Sequence, residues 1–223
     1  MTVILVLFTF AVFILIDYWL AQSETERMAI AQTPRKPAAS VEPAFVEGFL
    51  VPGSVRYHAG HGWVATERPH LATVGLDEFG AAIAGKIDHL ELPRPGTWIR
   101  QGQRAVKLFR DGQRTEMVSP TEGEVIELNP DVLADPNLLR QDPYGRGWLM
   151  RVHVPDEEGT RRNLIPKSLV PGWMRDAAAR LYALQPQLAG AVAAEGGRPL
   201  DDIASVLGAE SWKHLTSEFF LTE

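Results

Sequence analysis

Two histidines, His58 and His61, stand three residues apart in Tyr57-His58-Ala59-Gly60-His61-Gly62-Trp63, a spacing that could bring two imidazoles to one metal ion. No third ligand lies nearby, and His70, His89, His153 and His214 are isolated along the chain. Because His58 and His61 fall in a strand-and-turn segment, the expectation for both is a structural or exposed role, and no metal site is expected. The chain has no cysteine, which removes disulfides, thiolate metal sites, a cysteine nucleophile and a lipoprotein-type anchor. No Gly-rich phosphate loop, G-x-S-x-G elbow or H-E-x-x-H motif occurs in the sequence. Acidic residues are plentiful but scattered, the pattern of a solvated surface. The reactive group left is the lysine amine, which can be acylated, and the chain has only five: Lys36, Lys86, Lys107, Lys167 and Lys213. Without a nucleophile–base pair or a ligand set, no enzyme is expected.

The elements that would position these residues are mostly short strands. Val55–His58, Trp63–Thr66 and Leu71–Gly75 are strand-like runs separated by Gly and Pro. Asp77-Glu78-Phe79 opens a helix on acidic residues suited to its N-terminus, and Gly85 stops it. Further strands are expected around Ile87–Leu92, Ala105–Phe109, Glu116–Val118, Gly123–Leu128 and Trp148–Val154. Many short strands with turn residues between them predict a small, mainly β, closed or sandwich-like domain. Asp111-Gly112 between two such runs is the favoured two-residue hairpin turn, in which both central residues take positive φ.

Several segments in unbroken order, from about residue 55 to 155, resemble the glycine-cleavage H protein family. Tyr57 to Val64 is similar to the opening of those proteins, which usually read His-Glu-Trp; here Gly62 replaces the Glu. Ala72-Thr73-Val74-Gly75-Leu76-Asp77, Glu91-Leu92-Pro93 and Pro95-Gly96-Thr97 are similar to the segments that follow. The stretches Ser119-Pro120-Thr121-Glu122-Gly123-Glu124-Val125 and Asn137-Leu138-Leu139-Arg140-Gln141-Asp142-Pro143-Tyr144-Gly145 are the most specific matches. The resemblance implies a barrel-sandwich hybrid, the lipoyl-type fold. It also implies a lipoyl lysine at a hairpin tip, seven residues before the Ser-Pro. Counting back from Ser119 lands on Gly112, which has no side chain to acylate. Lys107 is nearest, but it lies five residues earlier in the strand leading to the turn. Gly112 is therefore read as a degenerate lipoyl position, with no cofactor expected.

The ends of the chain carry different signals. Val3–Ile16 is apolar but for Thr9, and Val3–Ala21 would span roughly 28 Å as a helix, enough to cross a bilayer core. Tyr18 and Trp19 sit where interfacial aromatics belong. No positive n-region or A-x-A-like site marks a cleaved signal peptide, so residues 1–21 are read as a transmembrane anchor. Asp17 either sits at the headgroup boundary or hydrogen-bonds to a neighbouring membrane subunit. Arg27, Arg35 and Lys36 follow the span, which places the N-terminus outside and the soluble part in the cytoplasm, on the inner membrane.

Residues 22–46 read as a linker, 47–158 as the β domain, and 159–223 as a helical extension. Val170, Trp173, Met174, Ala177, Ala178, Leu181 and Leu184 follow an amphipathic helical spacing, and Trp212, Leu215 and Phe219 mark another helix. Trp173, Trp212 and Phe219 are expected either as core or as contacts for a partner protein. The formal charge of −6, from 22 basic and 28 acidic residues, gives no footprint for nucleic acid. The leading expectation is a non-catalytic, membrane-anchored scaffold subunit of a larger membrane complex, such as a photosynthetic or respiratory electron-transfer assembly. Its partners would be other membrane subunits and lipid. The alternative is a lipoate-type carrier related to glycine cleavage at the membrane.

Overall fold

The computed structural model describes residues 12–16, 44–184, 203–206 and 209–222. The rest of the expected anchor and linker, Asp17 included, lies outside them. Residues 12–16 are helical and exposed, and among the described residues no helix is long and apolar enough to cross a membrane.

From Ala44 onward the chain is mainly antiparallel β. The strands are β1 (Ala44–Val46), β2 (Phe49–Val51), β3 (Arg56–Tyr57), β4 (Gly62–Arg68) and β5 (Leu71–Leu76). Helix α1 (Glu78–Ala84) follows, then β6 (His89–Glu91), β7 (Trp98–Ile99), β8 (Arg104–Arg110), β9 (Gln113–Val118) and β10 (Gly123–Leu128). Two short helices, α2 (Pro130–Ala134) and α3 (Leu138–Gln141), lead to β11 (Trp148–His153). Helices α4 (Glu157–Arg162), α5 (Val170–Leu184) and α6 (Ala209–Phe219), with a 3₁₀ turn at Ile203–Val206, complete the fold. Strand β1 begins inside the stretch expected as linker, and α4 runs across residue 159, where the extension was expected to begin. Helix α2 forms because Asn129 caps it, its side chain accepting from Asp131 N–H, and Pro130 fits the first turn.

Six strands form one sheet in the order β3-β4-β5-β11-β10-β7, and β6-β8-β9 form a second. Alternation splits their side chains between two cores. Ala72, Val74 and Leu76 of β5, Val106 and Leu108 of β8, Met117 of β9, and Met150 and Val152 of β11 share the first core. Trp63 points the other way from its neighbour Val64 and joins the second core. There it packs with Phe49 of β2, Phe79 and Ile83 of α1, Met174 and Leu181 of α5, and Leu215 and Phe219 of α6. Trp63 lies flat on β5 because residue 75 is glycine: a Cβ there would come within 2.3 Å of the indole. Its Nε1 donates to Leu76 O and Pro143 O at 3.1 and 3.2 Å.

The C-terminal helices are thus part of this core. Trp212 and Phe219 are 2% and 1% exposed, so of the two expectations for them, core or partner contact, the chain's own packing takes up both as core. Trp212 Nε1 donates to Ile83 O and Ala84 O, carbonyls at the C-terminal end of α1 that the helix itself cannot satisfy. Phe219 packs edge-on to Phe79 at 5.2 Å. Trp173 is half-buried, stacked on His61 at 4.7 Å. Phe219→Ala is expected to lower the unfolding free energy of the full chain by about 3–5 kcal/mol in urea titration. A loss below about 1 kcal/mol would show that Phe219 is not a core residue.

Candidate functional site: the hairpin tip and the buried histidine

Strands β8 and β9 pair through Arg110↔Gln113, so the turn between them consists of Asp111 and Gly112 alone. Their φ values of 48° and 71° are those of a type I′ turn, whose twist matches the flanking strands. A Cβ on Gly112 would meet nothing within 4 Å, so the backbone conformation, not space, favours glycine here. The tip is tied down from the side. Asp111 N–H donates to Asp88 Oδ2 at 2.7 Å, and Asp88 N–H donates to Phe109 O at 2.8 Å. The Arg110 guanidinium lies 3.3 Å from the Asp111 carboxylate and 6.0 Å from the centre of the Trp212 ring.

No lysine lies within the two-residue turn itself. Lys107 points across to β6, where its Nζ donates to Glu91 Oε2 at 2.8 Å and holds the Glu91 carboxyl below its usual pKa. Lys167 Nζ donates to Gly53 O at 2.7 Å. Lys86 follows α1, and Lys213 lies exposed on α6. Lys36 falls outside the described residues. The turn residues themselves, Asp111 and Gly112, carry no amine to which a lipoyl group could be joined.

His58 and His61 do separate work. His58 Nδ1 accepts a hydrogen bond from Gly60 N–H at 3.1 Å. Burial pushes its pKa down, and neighbouring His61 adds to the effect. His61 is fully buried, with Nδ1 3.0 Å from Asp77 Oδ2. Because a carboxylate only accepts, Nδ1 is the donor to Asp77, and the buried Nε2 has no hydrogen-bond partner. The ring lies between Phe79 at 4.4 Å and Trp173 at 4.7 Å, with Phe219 at 5.8 Å. Among the described residues no group of three or more His, Cys, Asp or Glu could hold a metal ion. The His61–Asp77 pair was not read from the sequence. Its one signal was an acidic residue at a helix start, sixteen positions away.

The class so far established is a mainly antiparallel β domain that presents a tight two-residue hairpin at its surface. The family model described as glycine cleavage H-protein matches residues 55–170. The glycine cleavage system H protein of Thermobifida fusca is 36% identical over 107 residues, 48% of this chain and 84% of that protein. Glycine cleavage system H protein 3 of Aquifex aeolicus is 30% identical over 119 residues, 53% of this chain and 74% of that one. A crystal structure of a glycine cleavage system H protein from Mycobacterium marinum aligns over 47% of this chain and 86% of that one. There the identity is 26% and the TM-score 0.43. The chain belongs to the glycine cleavage H-protein family.

The depressed His58 pKa makes stability depend on pH with a definite sign. The unfolded chain takes up its proton near the ordinary value of 6.5, whereas the folded chain resists until lower pH. This contribution is therefore intact above the ordinary value and is lost as pH falls through the folded one. Urea titration at about pH 7.5 and about pH 5.5 should show His58→Gln losing less stability than the parent over that window. Equal losses would remove His58 as a source.

Proposed function

We propose that this chain is a non-catalytic member of the family, a membrane-anchored subunit that works by protein contact and not by carrying lipoate. The observation that carries the reading is the Asp111-Gly112 tip, a closed type I′ turn without an amine. Supporting it, the nearest lysine, Lys107, is held by Glu91 within the sheet. The apolar run at residues 3–21 motivates the anchor, and Arg27, Arg35 and Lys36 motivate a cytoplasmic soluble domain. Its partners would be other membrane subunits.

Family membership favours a second reading, in which the chain serves glycine cleavage as a lipoate carrier. That reading needs acylation at some lysine. Intact mass spectrometry of protein from its native cells, with peptide mapping of any adduct, separates the two. An unmodified mass is expected, and one lipoyl group on any lysine would establish the carrier. Gly112→Lys supplies the complementary experiment. The substitution places a lysine at φ 71°, at a cost of about 1 kcal/mol. It is expected to make the tip a substrate for lipoylation by enzymes that leave the parent chain untouched. Deleting residues 1–21 is expected to leave the soluble domain folded and to deplete the membrane complex it serves. A complex that assembles normally without them would sink the scaffold reading.

A further inference from the structure

A surface cleft lies against one end of the first core. This cleft, of about 600 Å³, reaches in beside β3, β4 and β5, and its apolar wall is formed by Val64, Leu71, Ala72, Val154 and Leu164. That volume falls in the range of small-molecule sites. The polar groups around it are divided in their commitments. On α4 and the β4–β5 turn they satisfy one another: Glu158 pairs with Arg161, and Glu157 accepts from His70 N–H. Deeper in, the Thr121 and Thr160 hydroxyls lie 3.4 Å apart. Ser54, Arg56 and Lys167 line the cleft beside the β2–β3 loop, where Lys167 spends one N–H on Gly53 O. Arg56 makes no ion pair or side-chain hydrogen bond among the described residues.

We infer that this cleft binds a medium-chain carboxylate, its head on Arg56 and its tail along the Val64–Leu71–Leu164 wall. An uncommitted guanidinium takes a carboxylate through two parallel N–H donors, and Lys167 adds a second positive charge with N–H groups to spare. The Glu157 and Glu158 carboxylates are held on the opposite element by His70 and Arg161, so they define where an anionic head would not settle. A wholly apolar ligand would leave Arg56 without a partner. A polyanion would meet those two carboxylates. A single carboxylate on an apolar tail of about ten carbons fits within the cleft and meets its basic end with one negative charge.

The test uses the full chain in zwitterionic phospholipid nanodiscs with a decanoate analogue carrying a diazirine at its tail. After irradiation and peptide mapping, label is expected on peptides covering residues 64–72 and 154–164. Excess decanoate should remove it and excess 1-decanol should not. Arg56→Gln is expected to cut labelling about tenfold. Thr66→Trp fills the cleft from an exposed position and is expected to abolish labelling. Circular dichroism of both variants checks that the fold is kept. Labelling that survives both substitutions, yields equally to decanol, or falls only outside these peptides overturns the assignment.

Discussion

The buried carboxylate of Asp77 is the point at which sheet, helix and C-terminal extension are joined. Its Oδ1 accepts from Gly80 N–H at 2.7 Å, capping α1, while Oδ2 takes the imidazole of His61 at 3.0 Å. The backbone repeats the link, since Asp77 N–H donates to His61 O at 2.9 Å. Both side chains are fully buried, so neither could lose the other without leaving a polar group stranded, at about 1–3 kcal/mol or more. His61 holds φ at 61°, a conformation uncommon for a residue with a Cβ. The hydrogen bonds on both sides over-determine that backbone. Fixed in this way, the ring becomes a flat surface on which Phe79 and Trp173 stack, and through Trp173 it sets where α5 can lie.

The hairpin tip stands apart from this network. Strands β8 and β9 contribute Val106, Leu108 and Met117 to the first core, and those positions fix the hairpin whatever residues occupy its turn. A substitution at residue 112 therefore meets open space and a backbone preference, with no packing penalty. The fold and the tip chemistry can diverge independently. The family's framework is retained here through Trp63, Gly75 and the Asp142-Pro143-Tyr144-Gly145 turn. Those residues touch one another: Trp63 lies on Gly75 and bonds to Pro143 O.

Much of this was legible in the sequence wherever a signal was local. The Asp111-Gly112 turn could be read because two residues and two positive φ values define it. The longer strands could be read from short apolar runs bounded by Gly and Pro, as in the fully buried β5, and from alternation that leaves one face apolar, as in β8. Strands β1 and β2, three residues each, carry no usable period and were missed. The helical spacing of Val170, Met174, Ala177 and Leu181 announced a buried face, but periodicity cannot say what buries it. That is why Trp212 and Phe219 stayed open between core and docking surface until α1 was seen beneath them. The His61–Asp77 contact joins residues sixteen apart across a strand pair, and no pattern in either segment specifies it.

Helix α6 has a consequence for how the protein comes to be folded. Phe219 and Phe220 fill the two cores, and both are translated after the strands and helices they complete. While those strands emerge from the ribosome, the outer face around Trp63 and Phe79 has no finished cover. Such uncovered apolar surface is what chaperones hold and what aggregates form from. Synthesis of this chain therefore leaves an interval in which the sheet exists without its lid. A slow codon stretch or a stalled ribosome before residue 209 would lengthen it.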